Sequence, residues 1–460
     1  MSEAVPALKG KSLNTQTRLS SKGLLSKPAV FGSLIPIVTL LNAAVGMLLP
    51  KMMEPRVFGE YALVITLMNY GLIFDLGGSQ VIDRRVLAYL GTGRADLARS
   101  IGERLLWLRL GIAVVVFLLT SVALATLAMA NVLPFRLSGG LLASLAGLAD
   151  MVALGPVYIY RARSQRRDYA IGTAILLSGL IFARLGGLVA AGLTGCLAAL
   201  AVWYVTCAFL FHRDMPLKAS ERPSVREAMS LIGDGLPFFL TVFIWSFYVT
   251  GNRWIASFLI APDQFGLFAF SANIFSLLVG AVGGLSAFYY PKIVERIVGS
   301  GPYALSGVLT RDLCGLVGVV TCVMGVGVVL AGFLISVIYP SYHDGIETAR
   351  IILVAVPPMA LASWLLPLSL IAGNRPLVDG LVIYPLANAI LGVSIYFLYR
   401  RFGDVGAAWA STISVLPLNA MQLLMLRHAR ILRTQDTIIL FGVSLAACVI
   451  LGLFAWRVSV

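Results

Sequence analysis

Apolar residues in this chain fall into runs of about twenty, divided by short polar stretches. A helix needs about twenty apolar residues to cross about 30 Å of hydrocarbon. Strands of a membrane barrel would instead alternate polar and apolar positions over shorter segments. The runs predict helical spans at 29–50, 57–82, 108–131, 137–160, 169–190 and 194–211. A polar stretch from His212 to Met229 follows, holding Arg213, Lys218, Arg222 and Arg226. Further spans are predicted at 233–252, 264–290, 313–338, 351–373, 376–399, 405–426 and 437–456. The expected fold is therefore an all-α polytopic membrane protein of about thirteen transmembrane helices.

The polar stretch is the longest interruption inside the apolar part and divides the chain. The expected organisation is a basic tail over 1–28, a six-helix lobe over 29–211 and an inter-lobe linker over 212–232. A second six-helix lobe follows over 233–427, and a loop with one extra helix over 428–460. The tail holds Lys9, Lys11, Arg18, Lys22 and Lys27 against the single acid Glu3. No cleavage site follows it, so the first span reads as retained rather than as a signal peptide.

Charge placement orients the chain. Numbering loops from a cytoplasmic N-terminus puts 26 of the 35 Lys and Arg residues on the cytoplasmic side, counting Arg109 at the inner end of the span 108–131, and 8 on the other, with Arg184 left inside a span. This is the bias that positive-inside insertion produces. It also accounts for the formal charge of +14, which on a soluble chain would suggest nucleic acid. With 59% apolar and 12% charged residues, the chain has too few charges to wet a soluble surface. No nucleic-acid partner is expected, and membrane lipids are.

Chemistry-bearing sets are sparse. Cys196, Cys207, Cys314, Cys322 and Cys448 lie in apolar runs without CxxC spacing and read as small core residues. His212, His343 and His428 are scattered, and no convergent metal-ligand set or Walker-type phosphate loop is present. No cofactor, metal or enzymatic activity is predicted.

The chain repeats itself. Val57-Phe58-Gly59-Glu60-Tyr61-Ala62 matches Gln264-Phe265-Gly266-Leu267-Phe268-Ala269 at the start of two spans, each after a short loop with an acid and a proline. The same offset sets Arg85 against Lys292. An even number of crossings per repeat gives two parallel bundles around an axis along the membrane normal, a transporter architecture.

The stretch from Phe58-Gly59-Glu60-Tyr61-Ala62 to Phe74-Asp75-Leu76-Gly77, with the basic Arg84-Arg85 after it, resembles the start of bacterial polysaccharide repeat-unit flippases. These belong to the multidrug/oligosaccharidyl-lipid/polysaccharide exporter superfamily. Asn252-Arg253-Trp254 through Phe265-Gly266-Leu267-Phe268-Ala269 is similar to the family's seventh-to-eighth helix region. Phe402-Gly403-Asp404-Val405-Gly406-Ala407-Ala408 resembles its entry to the twelfth helix. The resemblance covers roughly residues 28–430. It implies two six-helix lobes around a central cavity open to one side at a time. It further implies that the substrate is an undecaprenyl-diphosphate-linked oligosaccharide, flipped from the cytoplasmic to the periplasmic leaflet of the inner membrane. Polysaccharide polymerase and export machinery are the partners such a transporter implies. The chain departs from the family in offering few cationic residues within its spans. Two rivals stand beside this reading: a drug/cation antiporter of the same superfamily, and a polysaccharide polymerase or ligase. The short outer loops speak against the last.

Ionisable groups inside spans are expensive and mark function. Asp150 lies about 16 Å from the cytoplasmic end of the fourth span, nearest the midplane. It reads as a proton carrier, as a partner for sugar hydroxyls, or as the ion-pair partner of Arg184. Arg184 reads as a diphosphate ligand or as a snorkelling side chain. Asp75, about 13 Å from the cytoplasmic face, is expected to pair with a basic loop residue at an inner gate. Arg253, beside Asn252, reads as an interfacial anchor or an outer gate at the end of the seventh span. Asn42, Asn69, Gln80, Asn273, Asn388 and Asn419 read as interhelical hydrogen-bonding groups. Pro357, Pro358 and Pro367 are expected to bend the tenth span. Phe and Met positions within the spans read as packing or lipid-facing groups.

Orientation is open to direct measurement. In a cysteine-free background, a cysteine at Ser220 should resist an impermeant thiol reagent in intact cells, and one at Ser341 should react. Labelling at Ser220 from outside would reverse the orientation.

Overall fold

The computed structural model describes residues 28–163, 165–215, 217–299, 303, 306–371 and 376–459. The basic tail before residue 28 lies outside the described residues, as do the side chains of Gln80, Lys292 and Pro367. Among the described residues every regular element is helical. In the first lobe α1 is Pro28–Met52, and α2 is Pro55–Ile73, resuming after a break as helix through Gly91. Then come α3 (Ala95–Met129) and α4 (Leu137–Ala162). The helical stretch Arg166–Asp214 holds both α5 and α6, divided at Ala191-Gly192. The second lobe has α7 (Val225–Leu259), α8 (Pro262–Gly299) and α9 (Ser306–Ile338). In α10, Ile346–Val354 and Val356–Ile371 meet at a 43° bend. Gly403 divides Pro376–Ile413 into α11 and the start of α12, which continues through Val415–His428. The extra helix α13 (Thr434–Ser459) packs on α9, α10 and α12.

The two divisions are hairpins, not kinks. Gly187 and Gly195 approach backbone to backbone across the first, and Gly406 lies against the Leu398 carbonyl across the second. In a continuous helix, residues eight apart would be separated by about 12 Å. Gly192 (φ 60°, ψ −148°) and Gly403 (φ 63°, ψ −146°) share one backbone conformation, in a region that essentially only glycine occupies. They are the same turn in two copies of the repeat, each followed three residues later by a second glycine.

Side-chain contacts agree with the alternation of thirteen crossings. On the face carrying the start of α1, called here the basic face, Arg85 pairs with Asp234, Arg104 with Glu227 and Ser306 with Asp436. On the opposite face Tyr339 donates to the Met47 carbonyl (2.7 Å), Tyr342 to the Met53 carbonyl (3.1 Å) and Arg350 to the Val458 carbonyl (3.0 Å). Arg400 and Arg401 fall on the opposite face, beside the Gly403 hairpin, as the span count requires.

Polar segments outside the apolar runs extend several helices. Ser224 and Glu227 form a capping box that starts α7 well before its apolar run, and the Ser224 amide and hydroxyl hold the Glu227 carboxyl below its usual range. The segment before α7 docks on α3: Ser100 donates to Glu221 (2.7 Å), and Trp107 to the Lys218 carbonyl (2.9 Å). The expected bend in α10 is present at Ala355, and the Pro358 carbonyl accepts from Asn419 (3.0 Å). Asn42 and Asn388 likewise donate to carbonyls of neighbouring helices, Leu177 and Ile244.

The lobes meet where the sequence repeats. A Cβ on Gly59 would lie 3.2 Å from the Gly266 Cα, and one on Gly266 would overlap the Pro55 carbonyl. The two copies of the Phe-Gly motif thus pack against each other, α2 on α8. A Gly266→Val substitution should lower the unfolding free energy by about 1–3 kcal/mol, the usual cost of overpacking a tight contact. Gly280→Ala, in open space, should leave it unchanged or slightly higher. Thermal unfolding of the two purified variants compares them.

Candidate functional site

Between the opposite-face contact and the basic face, α2 of the first lobe runs along α7 of the second. The seam is aromatic. Phe239, Phe243 and Phe247 recur at i, i+4 and i+8 on α7, and Tyr70 and Phe74 at i and i+4 on α2, so each set forms one stripe. The ring centroids of Phe74 lie 5.7 Å from Phe239 and 5.3 Å from Phe243. Those of Tyr70 lie 5.8 Å from Phe243, 6.2 Å from Phe247 and 6.4 Å from Trp254. Tyr70 and Thr250 share a 2.5 Å hydrogen bond across the seam. The ladder spans about 22 Å of α7 from Phe239 to Trp254.

Arg253 lies at one end of this ladder. It is not an interfacial anchor: the residue is 5% exposed and its side chain crosses between lobes. It donates to Thr66 Oγ1 on α2 (3.3 Å) and, on α8, to the Ala272 carbonyl (2.8 Å) and Ser276 Oγ (2.6 Å). Thr66 is about 16 Å from the start of α2, so the guanidinium sits near mid-depth. Its Nε has no partner, and among the described residues no carboxylate forms an ion pair with it. Neighbouring Asn252 turns into the second lobe, reaching Ser411 Oγ at 3.5 Å.

Asp75 lies at the other end, where α2 breaks. Leu76 and Gly77 adopt left-handed backbone (φ 48° and 82°), which stops the helix. The Asp75 carboxylate caps the resumed helix, accepting from the Gly77 amide (2.9 Å) and the Ser79 amide (2.8 Å). It also accepts from Arg109 Nη2 at 2.7 Å. The expected partner was a basic loop residue, but Arg109 lies inside α3 and is 1% exposed. α3 starts at Ala95, so Arg109 is about 21 Å along it. Its guanidinium also lies 5.2 Å from the Tyr158 ring centroid. Gly77 and Gly235 bring the lobes together at this level. A cavity of about 190 Å³ opens here between α2, α3, α4 and α7.

Asp150 and Arg184 both face the interior of the first lobe without forming an ion pair. Asp150 is hydrogen-bonded to Tyr204 of α6. Arg184 reaches Asn42 of α1 at 3.4 Å, so it turns inward and does not snorkel. Of the five residues singled out from the sequence, Arg253 and Asp75 therefore belong to the seam, and Asp150, Arg184 and Asn252 to the interiors of single lobes. Arg109 and the aromatic ladder were missed. The i, i+4, i+8 spacing of phenylalanines was visible, as was an arginine set in Leu105-Leu106-Trp107-Leu108-Arg109-Leu110.

No protein-family profile and no curated protein matches the chain. Solved structures do. A lipid II flippase MurJ in an inward closed conformation aligns with TM-score 0.66 and 12% identity over 92% of both chains. An inward-facing MATE-family multidrug resistance transporter of the MOP superfamily aligns with TM-score 0.60 and 14% identity, over 90% of this chain and 99% of that one. The MATE multidrug transporter DinF-BH gives TM-score 0.58 and 16% identity over 91% and 99%. The chain has the two-lobe fold of these membrane proteins.

Double-mutant cycles on thermal stability test the two charge pairs. Asp75→Asn or Arg109→Gln alone leaves a buried polar partner stranded and should cost about 3–5 kcal/mol, with the double variant costing less than the sum. Asp150→Asn and Arg184→Gln should add within about 0.5 kcal/mol.

Proposed function

We propose that this chain flips undecaprenyl-diphosphate-linked oligosaccharide repeat units between leaflets by alternating access, supplying exopolysaccharide, capsule or O-antigen synthesis. The basic face is then cytoplasmic, the membrane is the bacterial inner membrane, and polymerase and export machinery receive the product. The lobes at 29–211 and 233–427 rock against each other about the linker at 212–232, with 428–460 as an accessory helix.

The carrying observation is Arg253. A guanidinium buried between two lobes, with no carboxylate among the described residues to neutralise it, is costly inside a membrane. Its present acceptors are a carbonyl and two hydroxyls, which a phosphate oxygen replaces with gain, because charge-assisted hydrogen bonds are about twice as strong as neutral ones. Asp75 and Arg109 cancel each other, so the seam as a whole carries positive charge and suits an anionic head group. One structural neighbour bears the name lipid II flippase and the others that of multidrug transporters; the cationic seam favours the first kind of cargo.

A specific observation supports the rival cation antiporter. Asp150 is buried in the first lobe with Tyr204 rather than a cation as its partner, an arrangement able to exchange a proton for a cationic solute.

Deletion of the gene separates the readings. The flippase reading expects loss of surface polysaccharide and accumulation of lipid-linked units on the cytoplasmic leaflet. Arg253→Gln should reproduce the loss, cutting transport at least about tenfold, the effect of one charge-assisted contact, and Arg253→Lys should retain part of it. Normal polysaccharide with raised sensitivity to cationic toxins, abolished protection in Asp150→Asn and an indifferent Arg253→Gln would establish the antiporter instead.

A further inference from the structure

We infer that the cavity at the Asp75 end of the aromatic ladder is a monosaccharide subsite, which takes one uncharged sugar ring of the head group between Tyr158 and Phe239. The inference rests on the flippase reading and adds to it where the sugar lies and what recognises it.

Size comes first. The cavity of about 190 Å³ is smaller than the roughly 300–1,000 Å³ of pockets for drug-sized ligands. It is of a size to hold one sugar ring. Charge comes second. Asp75 and Arg109 form a neutral pair at 2.7 Å, so the pocket repels neither sign strongly and attracts neither. A diphosphate gains more at Arg253, and a cation finds the carboxylate already taken.

Hydrogen-bonding capacity comes third. Asp75 Oδ1 accepts only the Gly77 amide, and a carboxylate offers about four lone-pair sites in all. Arg109 Nε is buried without a partner, and Nη1 makes only a long contact to the Met151 carbonyl at 3.3 Å. An acceptor and a donor thus belong to one ion pair that lines the cavity. This matches adjacent hydroxyls on a sugar ring, each of which both donates and accepts. The walls come fourth. Tyr158 and Phe239 line the cavity with Leu154 and Val242. The Tyr158 ring already carries the Arg109 and Arg161 guanidiniums; the electron-rich face of Phe239 suits the C–H face of a pyranose. Along α2, Thr66 and Asp75 are about 14 Å apart, so a diphosphate at Arg253 and a ring in this pocket belong to one extended head group.

Site-specific photocrosslinking in the native host tests this. A compact diazirine amino acid at Val242, close to the native side chain in size, should capture an adduct that carries periodate-sensitive carbohydrate, and one at Ser276, beside Arg253, an adduct carrying the lipid diphosphate. Phe239→Leu removes a ring and Leu154→Trp fills the cavity. Each should reduce the carbohydrate adduct at Val242 about fivefold, the effect of losing one aromatic contact, while capture at Ser276 persists and shows that the variants remain folded and loaded. Lipid diphosphate at Ser276 with no carbohydrate at Val242, or carbohydrate at Val242 indifferent to both variants, would overturn the subsite and leave the flippase reading standing. Adducts free of saccharide and diphosphate at both positions would overturn both.

Discussion

The close approach of α2 to α8 at Gly59 and Gly266 is the contact on which the two-lobe arrangement depends. Helices in a bilayer gain little from burying apolar surface against one another, because lipid is as apolar as leucine; small residues that let backbones touch supply the packing instead. Here the touching residues are equivalent positions of an internal repeat. Each copy contributes the same glycine, so the interface is self-complementary about the axis relating the lobes. Around it Phe58, Phe270, Tyr339 and Tyr342 form a ring cluster, with Phe270 and Tyr342 centroids 4.6 Å apart. Two tyrosine hydroxyls in that cluster satisfy carbonyls at the end of α1. The same residues thus fix lobe spacing and close the opposite face.

From that fixed end the seam has a graded character. Near mid-depth, Arg253 bridges α7, α2 and α8 through neutral oxygens. Nearer the basic face, Arg109 meets a carboxylate, and the pair is further held by two backbone amides and a tyrosine ring. The contrast is energetic as well as geometric. A buried ion pair with further hydrogen bonds offsets much of its desolvation, whereas a buried cation held only by neutral oxygens does not. The buried cation persists at a cost that stability alone does not explain, and this cost is the ground on which the flippase proposal assigns an anionic cargo to the seam. The first lobe also holds Asp150 and Arg184, while the second contributes Arg253, so charge breaks the symmetry that the backbone repeat keeps.

Much of this was legible in the amino-acid sequence because membrane spans are written as length and apolarity. The span count survives, including the positions of Arg400 and Arg401, because each crossing fixes the side of the next. What could not be read was direction around a helix axis. Residue spacing gives the depths of Asp150 and Arg184, about 8 Å apart, and unlike charges on adjacent helices suggested a pair, but their side chains turn towards different helices. The break in α2 was hidden for another reason. Residues 57–82 read as one apolar run, and only Asp75, Leu76 and Gly77 together, through a side-chain cap and two left-handed residues, stop the helix. Arg109 was assigned to the basic face because its helix extends far beyond the apolar run, carried by the ion-pair network of Arg104, Glu221 and Glu227. The aromatic ladder obeyed a helical period, yet periodic rings are usual in any packed span, and only the partner stripe on α2 gives it meaning.

The two ends of the seam are closed by unequal means, and this bears on the direction of movement. The opposite face is shut by the glycine contact, four packed rings and two buried tyrosine hydrogen bonds. Parting it would expose apolar surface and strand carbonyls, each unsatisfied group costing several kcal/mol in hydrocarbon. The basic face is shut by Gly77 against Gly235, by the Arg85–Asp234 pair, whose side chains are 38% and 44% exposed, and by Arg104 of α3 against Glu227 of α7, whose side chains are 34% and 44% exposed. An ion pair of that exposure contributes about 0–1 kcal/mol, and water replaces it readily when the lobes separate. The basic face therefore opens at lower cost, and it opens directly onto the cavity beside Asp75 and Arg109. On the flippase proposal, a head group arriving from that side meets the neutral pocket first and the Arg253 guanidinium only deeper in. Its diphosphate would then add an anion beside that buried cation and stabilise the closed seam from within before the tighter end has to part.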